Sequence, residues 1–440
     1  MIRVGGYGVS RTRWSTIICA LTRARFCRPE SLLATRCDTL TRQLFQDISS
    51  ESLEFIEMNR FERLRVQGFR RLYDIEIEVH PLCVMIGANG CGKTSLLDVF
   101  SLLASSASGG LTKQISEFSG IGEILTVDRA HSLSLGIWME APPREPLKYE
   151  LSITPSGVTH ELTQELLTQQ TDPNAPAPFK HIQAHHGNVR YFVPDRNRLE
   201  HPEWDHNPLE TALSQVPKMF REPEDFRSRL ASSTYYHVLN VEARSPVRLP
   251  QPLRPAQLPG RDGEDLVSCL FYLRETDRDR FDAIEDTLRS AFAGFQRLDF
   301  PPVAAGTLAM TWKDANFSRP LYMHQLSEGT LRFLWLVTLL QSPGLTAVTL
   351  LDEPEVSLHP ELLSLLAGLL REASTRTQLI VATHADRLVR FLDPHEVLTV
   401  DVAEDGLSHT TWADQLDLDQ WLEEYTLDEV WRLGRMGGRA

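Results

Sequence analysis

Leu82-Cys83-Val84-Met85-Ile86-Gly87-Ala88-Asn89-Gly90-Cys91-Gly92-Lys93-Thr94-Ser95-Leu96 decides the fold of this 440-residue chain. Its first five residues are all apolar and read as a short strand buried on both faces, as in a parallel sheet. Gly87 to Thr94 then matches G-x-x-x-x-G-K-[ST] at every position. Thr94–Leu103 has the apolar spacing of a helix. A strand, a glycine loop and a helix in that order form a cradle for phosphates. The glycines let the backbone N–H groups of Gly87, Ala88, Asn89, Gly90, Cys91 and Gly92 turn inward, and the helix start adds its positive dipole end. Lys93 neutralises the β- and γ-phosphates, the Thr94 hydroxyl ligates Mg²⁺, and Ser95 completes the loop. A glycine-rich turn with a chance Lys-Thr is the bland alternative, and the flanking strand and helix weigh against it.

Working outward, three further segments complete the pattern. Val348-Thr-Leu-Leu-Asp352-Glu353-Pro354 is an apolar strand ending in two carboxylates, at the sheet edge where α/β folds bind ligands. Asp352 can hold Mg²⁺ or its water, and Glu353 can take a proton from an attacking water. Alone, the pair would pass for solvated acids at a strand end. Leu326-Ser327-Glu328-Gly329-Thr330 opens an apolar helix, and by itself Ser327 reads equally well as a helix cap. Ala382-Thr383-His384 follows another apolar strand, Gln378–Ala382, and its place after the Asp-Glu strand makes His384 a candidate for the site.

The rest of the chain supplies the frame. Phe61–Val66 and Asp74–Val79 alternate like half-buried strands, as do residues 132–140 and 147–154. Asp265–Phe295, Leu331–Leu340 and Leu362–Leu370 read as helices, and Leu345–Leu351 as a buried strand. Proline-rich stretches around Asp172–Pro178 and Pro246–Pro259 read as surface connections. The predicted class is α/β, with a mixed sheet, an antiparallel β subdomain and a helical insert. The predicted divisions are an extension at 1–57, an N-terminal lobe at 58–160, a largely helical insert at 161–320 and a C-terminal lobe at 321–440.

Composition narrows the function. Apolar residues make up 42% and charged residues 24%, so the chain can bury a core and is neither fibrous nor disordered as a whole. The net charge of −14 gives no bulk attraction to DNA or anionic lipid. The six cysteines, at 19, 27, 37, 83, 91 and 269, form no C-x-x-C pair, which fits a reducing cytoplasm and no structural zinc. No apolar run is long enough to span a membrane. Residues 1–45 carry eight Arg, no Lys, and only Glu30 and Asp38 as acids. That start reads as a transit peptide or, preferably, as sequence upstream of a start at Met58.

Taken together and in this order, the four motifs resemble those of the ABC-type ATPases of the RecF, SMC and OLD group, in particular its standalone predicted ATPases. The resemblance extends over 61–440. It also rests on Phe61-Glu-Arg-Leu-Arg-Val-Gln-Gly-Phe-Arg70, Asp262-Gly-Glu-Asp-Leu266, Leu326–Phe333, Leu358-His-Pro360 and the tail from Trp421 to Arg439. It implies a P-loop ATPase head that binds ATP and Mg²⁺ and dimerises head to tail around two ATP molecules. Ser327 and Gly329 would then contact the γ-phosphate across the interface. Glu353 would be the catalytic base, His384 the switch histidine, and Glu355–His359 part of the dimer interface. The family's metal-sensing glutamine has Gln114 as its candidate here. Ala385 stands where a Ser usually follows the histidine.

Relatives of this kind differ in what is inserted or appended. Residues 96–325 hold no sustained heptads, which excludes a long coiled-coil arm. Asp417-Leu-Asp419 superficially suggests a metal-dependent nuclease, but residues 385–440 are too few for that domain. A transporter subunit would carry a glycine where Glu328 stands. Two functions stay open: an ATPase driving DNA repair or defence against mobile DNA through a DNA or protein partner, and an ATP-gated clamp with little hydrolysis of its own. An ATPase subunit of a nuclease system is a further alternative.

Overall fold

Alternation of apolar and polar residues sets up the first sheet. β1 (Phe61–Phe69) turns at Arg70-Arg71 into β2 (Leu72–Glu78), with Leu64 opposite Ile77 and Val66 opposite Ile75, all buried. β3 (Leu82–Ile86) leaves for a second sheet. The first sheet then continues through β4 (Leu133–Ala141), β5 (Arg144–Ser156), β6 (Thr159–Gln169), β7 (Phe179–His185), β8 (Asn188–Val193) and β9 (Arg198–Glu200). Its order is β2-β1-β4-β5-β6-β7-β8-β9, antiparallel throughout. The structure is a computed structural model and describes residues 59–171, 175, 177–422 and 424–436. The extension expected at 1–57 lies outside the described residues, as do parts of Asp172–Pro178 and the end of the tail.

The second sheet carries the site. β10 (Ser233–Tyr236) pairs with the strand Val348–Asp352, that strand with Gln378–Ala382, that one with β3, and β3 with Val397–Val402, all in parallel. Ser408–Trp412 closes the edge antiparallel, so the sheet is mixed. Its strands are apolar on both faces because both faces are covered. Leu82, Val84, Ile86, Leu351, Leu379 and Val381 belong to one core, with the helices Leu266–Thr276, Arg278–Ala291, Glu328–Gln341 and Leu363–Ala373. Cys83, Met85, Val348, Leu350, Ile380 and Ala382 point the other way. They share a second core with the helix Lys93–Ser108, the helix Arg221–Ala231 and the antiparallel sheet. Each large aliphatic side chain buried this way contributes about 1.5–3 kcal/mol. A buried glutamine joins the two sheets: Gln378 accepts from Phe61 N through Oε1 and donates to Phe61 O through Nε2, both at 2.7 Å.

Two expectations need correction. The region 161–320 is not largely helical. Most of β6, all of β7 to β10, and the strands Phe295–Asp299 and Thr311–Asp314 lie in it beside three helices. Residues 159–169 contain helix-formers such as Glu and Leu, but pairing with β5 on one side and β7 on the other overrides that preference. The stretch Pro246–Pro259 is not all surface. Val247 and Gln251 are buried, and Gln251 donates to Gly263 O at 2.6 Å.

Candidate functional site

The glycine loop has the backbone its sequence calls for. Gly87 and Gly92 have φ of 153° and 116°, values that side chains rarely adopt. A Cβ on Gly87 would stand 2.1 Å from Val400 O, and one on Gly92 2.8 Å from Ser408 Oγ. The loop is thus pressed against the neighbouring strands, and Ser408 Oγ donates to Cys91 O at 2.5 Å. Gly92 is also the N-cap of Lys93–Ser108, so that helix starts at the loop and aims its dipole there.

Lys93 is buried and donates to Gly87 O at 2.7 Å and Ala88 O at 3.1 Å. Burial pulls its ammonium below the usual lysine range, while Cys91, Glu353 and Asp352 pull it back. Thr94 is exposed beside it, and Ser95 accepts a 3.4 Å bond from Arg70, which is ion-paired to Asp98 at 2.6 Å.

The carboxylates arrive from the strand Val348–Asp352. Asp352 ends that strand, and its Oδ2 accepts from Tyr235 of β10 at 3.1 Å. Burial raises the Asp352 carboxyl above its ordinary value. Glu353 takes a left-handed φ of 47°, and its N–H donates to Ala382 O at 2.8 Å. A non-glycine residue in that region is strained by about 1–3 kcal/mol and persists only where its surroundings hold it. The turn breaks strand alternation at the Asp-Glu pair. Both carboxylates act electrostatically on Lys93 and on His384.

His384 closes the group. Its Nδ1 lies 3.4 Å from Lys93 Nζ and its Nε2 3.5 Å from Glu353 Oε1. Burial, then Lys93, pushes its pKa below the ordinary histidine value. The structure therefore brings together the phosphate loop, Lys93, Asp352, Glu353 and His384, drawn from sequence positions 87 to 384.

The other candidates separate. Ser327 is the N-cap of Glu328–Gln341, its Oγ accepting from Thr330 N at 3.1 Å. Gly329 packs so closely that a Cβ would meet Ser357 O at 2.5 Å. Among the described residues, the hydrogen bonds of the Ser327 side chain go to Thr330 and not to the phosphate loop of the same chain. Gln114 is not brought to the site. It accepts from Ser105 Oγ at 3.0 Å, and Ser105 is twelve residues along the helix from Lys93, about 18 Å of rise. Its nearness in sequence to the loop is undone by the length of that helix.

Two contacts at the site were not foreseen. Tyr235 reaches Asp352 through strand pairing across 117 positions, and nothing local in Ser-Thr-Tyr-Tyr-His signals it. Glu355, expected at a dimer interface, turns its carboxylate inward. Its Oε1 accepts from Thr383 Oγ1 at 2.6 Å and from the N–H groups of His384 and Ala385 at 3.0 and 3.2 Å.

A family model described as "AAA domain, putative AbiEii toxin, Type IV TA system" matches residues 82–390, from the strand before the loop to just past His384. The chain belongs to this family. As an AAA-domain protein it has the fold of an ABC-type, SMC-like ATPase head. An SMC head solved with the C-winged helix domain of ScpA is similar in fold, with a TM-score of 0.50 at 17% identity, covering 80% of this chain and 97% of that one. A Pyrococcus furiosus SMC head with an extended coiled coil, bound to the C-terminal domain of ScpA, scores 0.48 at 14% identity, covering 83% of this chain and 99% of that one. No curated protein matches this AAA-domain chain. No described helix is long and apolar enough to cross a membrane.

The residues present fit a nucleotide with Mg²⁺. The loop is open where a phosphate would enter, since a Cβ on Gly90 would meet nothing within 4 Å. An exposed hydroxyl (Thr94) and a carboxylate (Asp352) are oxygen donors of the kind that Mg²⁺ prefers.

Proposed function

We propose that this protein binds and hydrolyses ATP, and that it does so as an ATP-dependent head-to-tail dimer. The single observation that carries the proposal is the Lys93–His384–Glu353 constellation beside the glycine loop, with both His384 contacts at 3.4–3.5 Å. Gly87 to Gly92 would hold the phosphates through backbone N–H groups, and Lys93 would leave its loop carbonyls to neutralise phosphate charge. Thr94 and Asp352 would hold Mg²⁺, which would supply neutralisation of phosphate charge. Glu353 would accept the proton of the attacking water, and His384 would orient Glu353 and contact the γ-phosphate.

Because Ser327 and Gly329 do not complete their own chain's site, we assign them to the ATP of a second copy. The molecule would then couple ATP turnover to a DNA or protein partner, in DNA repair or in defence against mobile DNA, within the cytoplasm. The test is phosphate release by the purified protein with ATP and Mg²⁺, with and without DNA. Activity that disappears in Glu353→Gln supports the assignment. A rate unchanged by that substitution refutes it.

A further inference from the structure

Glu355 lies two residues beyond Glu353 on the same turn, closed by a 3.2 Å bond from Val356 N to Glu353 O. One of its carboxylate oxygens gathers three donors, one from each of Thr383, His384 and Ala385. Thr383 is fully buried, and its Oγ1 also accepts from Ala385 N at 3.0 Å. The other carboxylate oxygen, Oε2, is buried and without a hydrogen-bond partner. Placing a carboxylate like this costs free energy that hydrogen bonds must offset. All three donors come from one short segment, the peptide that carries His384.

The consequence is geometric. His384 Nδ1 reaches Lys93 at 3.4 Å, the long limit of a hydrogen bond, and its Nε2 stands 3.5 Å from Glu353 Oε1, an ion-pair distance. A displacement of the His384 backbone would change both contacts. The segment 353–355 therefore holds both partners of the pair. Glu353 sits on it directly, and His384 is tied to it through Glu355.

We infer that Glu355 is a positioning residue, clamping the backbone at Thr383–Ala385 so that the His384 ring stands between Glu353 and Lys93. This presupposes the ATP hydrolysis proposed above. Glu355 touches neither substrate nor the reacting atoms. It acts through His384.

Two substitutions and three readouts test the clamp in the full chain. Glu355→Ala removes the shared acceptor. It should lower kcat by about tenfold or more while leaving affinity for a fluorescent ATP analogue within about threefold, because the glycine loop and Lys93 are untouched. The amides of His384 and Ala385 should lose their protection against hydrogen exchange in the same variant. Glu355→Gln keeps an oxygen that can accept the same three bonds, and it should retain kcat within about fivefold and keep both amides protected.

A Glu355→Ala protein with wild-type kcat, or with both amides protected as before, overturns the inference. So does one that loses ATP affinity and protection throughout the central sheet, since Glu355 would then be a general structural residue. A Glu355→Gln protein as slow as Glu355→Ala with its amides intact would show that the charge matters and not the clamp. If the wild-type protein hydrolyses no ATP, the ATPase proposal fails. Amide exchange then still decides, by itself, whether Glu355 holds the segment.

Discussion

The Nε2 atom of His384 lies 3.5 Å from a carboxylate oxygen of Glu353. The direction of that contact follows from the other side of the ring. The Lys93 ammonium, 3.4 Å from Nδ1, has only donors, so Nδ1 must accept. Burial and Lys93 also push the His384 pKa down, which favours the neutral ring. A neutral ring accepting at Nδ1 carries its proton on Nε2, facing Glu353. That proton faces the Glu353 carboxylate, whose backbone is held in the left-handed region.

Glu353→Gln should bind ATP and hardly hydrolyse it. The amide keeps the size of the side chain but cannot take a proton, so kcat should fall by roughly 10²–10⁴-fold. With ATP and Mg²⁺ the variant should accumulate as a dimer on size exclusion. A strictly monomeric profile under those conditions would contradict the dimer.

Lys93→Ala should lose nucleotide binding while remaining folded. By analogy with truncating one partner of a buried charge pair, the loss is about 2–5 kcal/mol, roughly 30-fold or more in affinity. The melting temperature should change little, because Lys93 is held by loop carbonyls and not by a buried counter-ion. Unchanged ATP affinity, measured by equilibrium binding, would show that Gly87–Thr94 is not a phosphate loop.

Stability should fall with rising pH through Glu165, on the antiparallel sheet. This residue is fully buried, and burial pushes its carboxyl up from 4.5 to about 7 against hydrogen bonds from Leu213 N, Ala212 N and Tyr149. A folded pKa above the unfolded one means the protonated form stabilises the fold. That contribution is complete below about pH 4.5 and is lost as pH rises through about 7. Relative to Glu165→Gln, which cannot titrate, the wild-type protein should therefore lose up to about 3 kcal/mol between the two limits. Melting curves of both proteins across that range check it, and parallel pH profiles would show that burial does not shift the Glu165 carboxyl between the unfolded and folded states.

The parts of this site that were legible in the sequence are those whose chemistry is local. Gly87 to Thr94 announces itself because strand, loop and helix are contiguous, and Glu353 and His384 because each closely follows a short apolar strand. The parts that were not legible depend on pairing between distant segments. Tyr235 meets Asp352 only because β10 pairs in parallel with Val348–Asp352. Glu355, expected at a dimer interface, shows its inward contacts only once Thr383 and His384 are folded onto it. Gln114 misled for the opposite reason, being near the loop in sequence and a helix-length away in space. The strands within 161–320 were hidden by helix-forming residues whose fate is set by their sheet neighbours.

Ser327 gives the sharpest test of the dimer. In its own chain it caps the helix Glu328–Gln341, and the start of that helix is packed against Ser357. Ser327→Arg adds bulk and charge at the helix start. It removes a cap worth about 1 kcal/mol, too little to unfold the core. ATP binding by the single chain should survive, since the phosphate loop is untouched, while hydrolysis should fail if the second chain's ATP needs this surface. Mixing Ser327→Arg with Lys93→Ala protein then separates the alternatives. In the mixed dimer one composite site carries both defects and the other carries neither, so activity should reappear on mixing two inactive proteins. Recovered phosphate release would place Ser327 and Lys93 of different chains in one site. Full hydrolysis by Ser327→Arg alone would show that Leu326–Thr330 is a helix cap and nothing more.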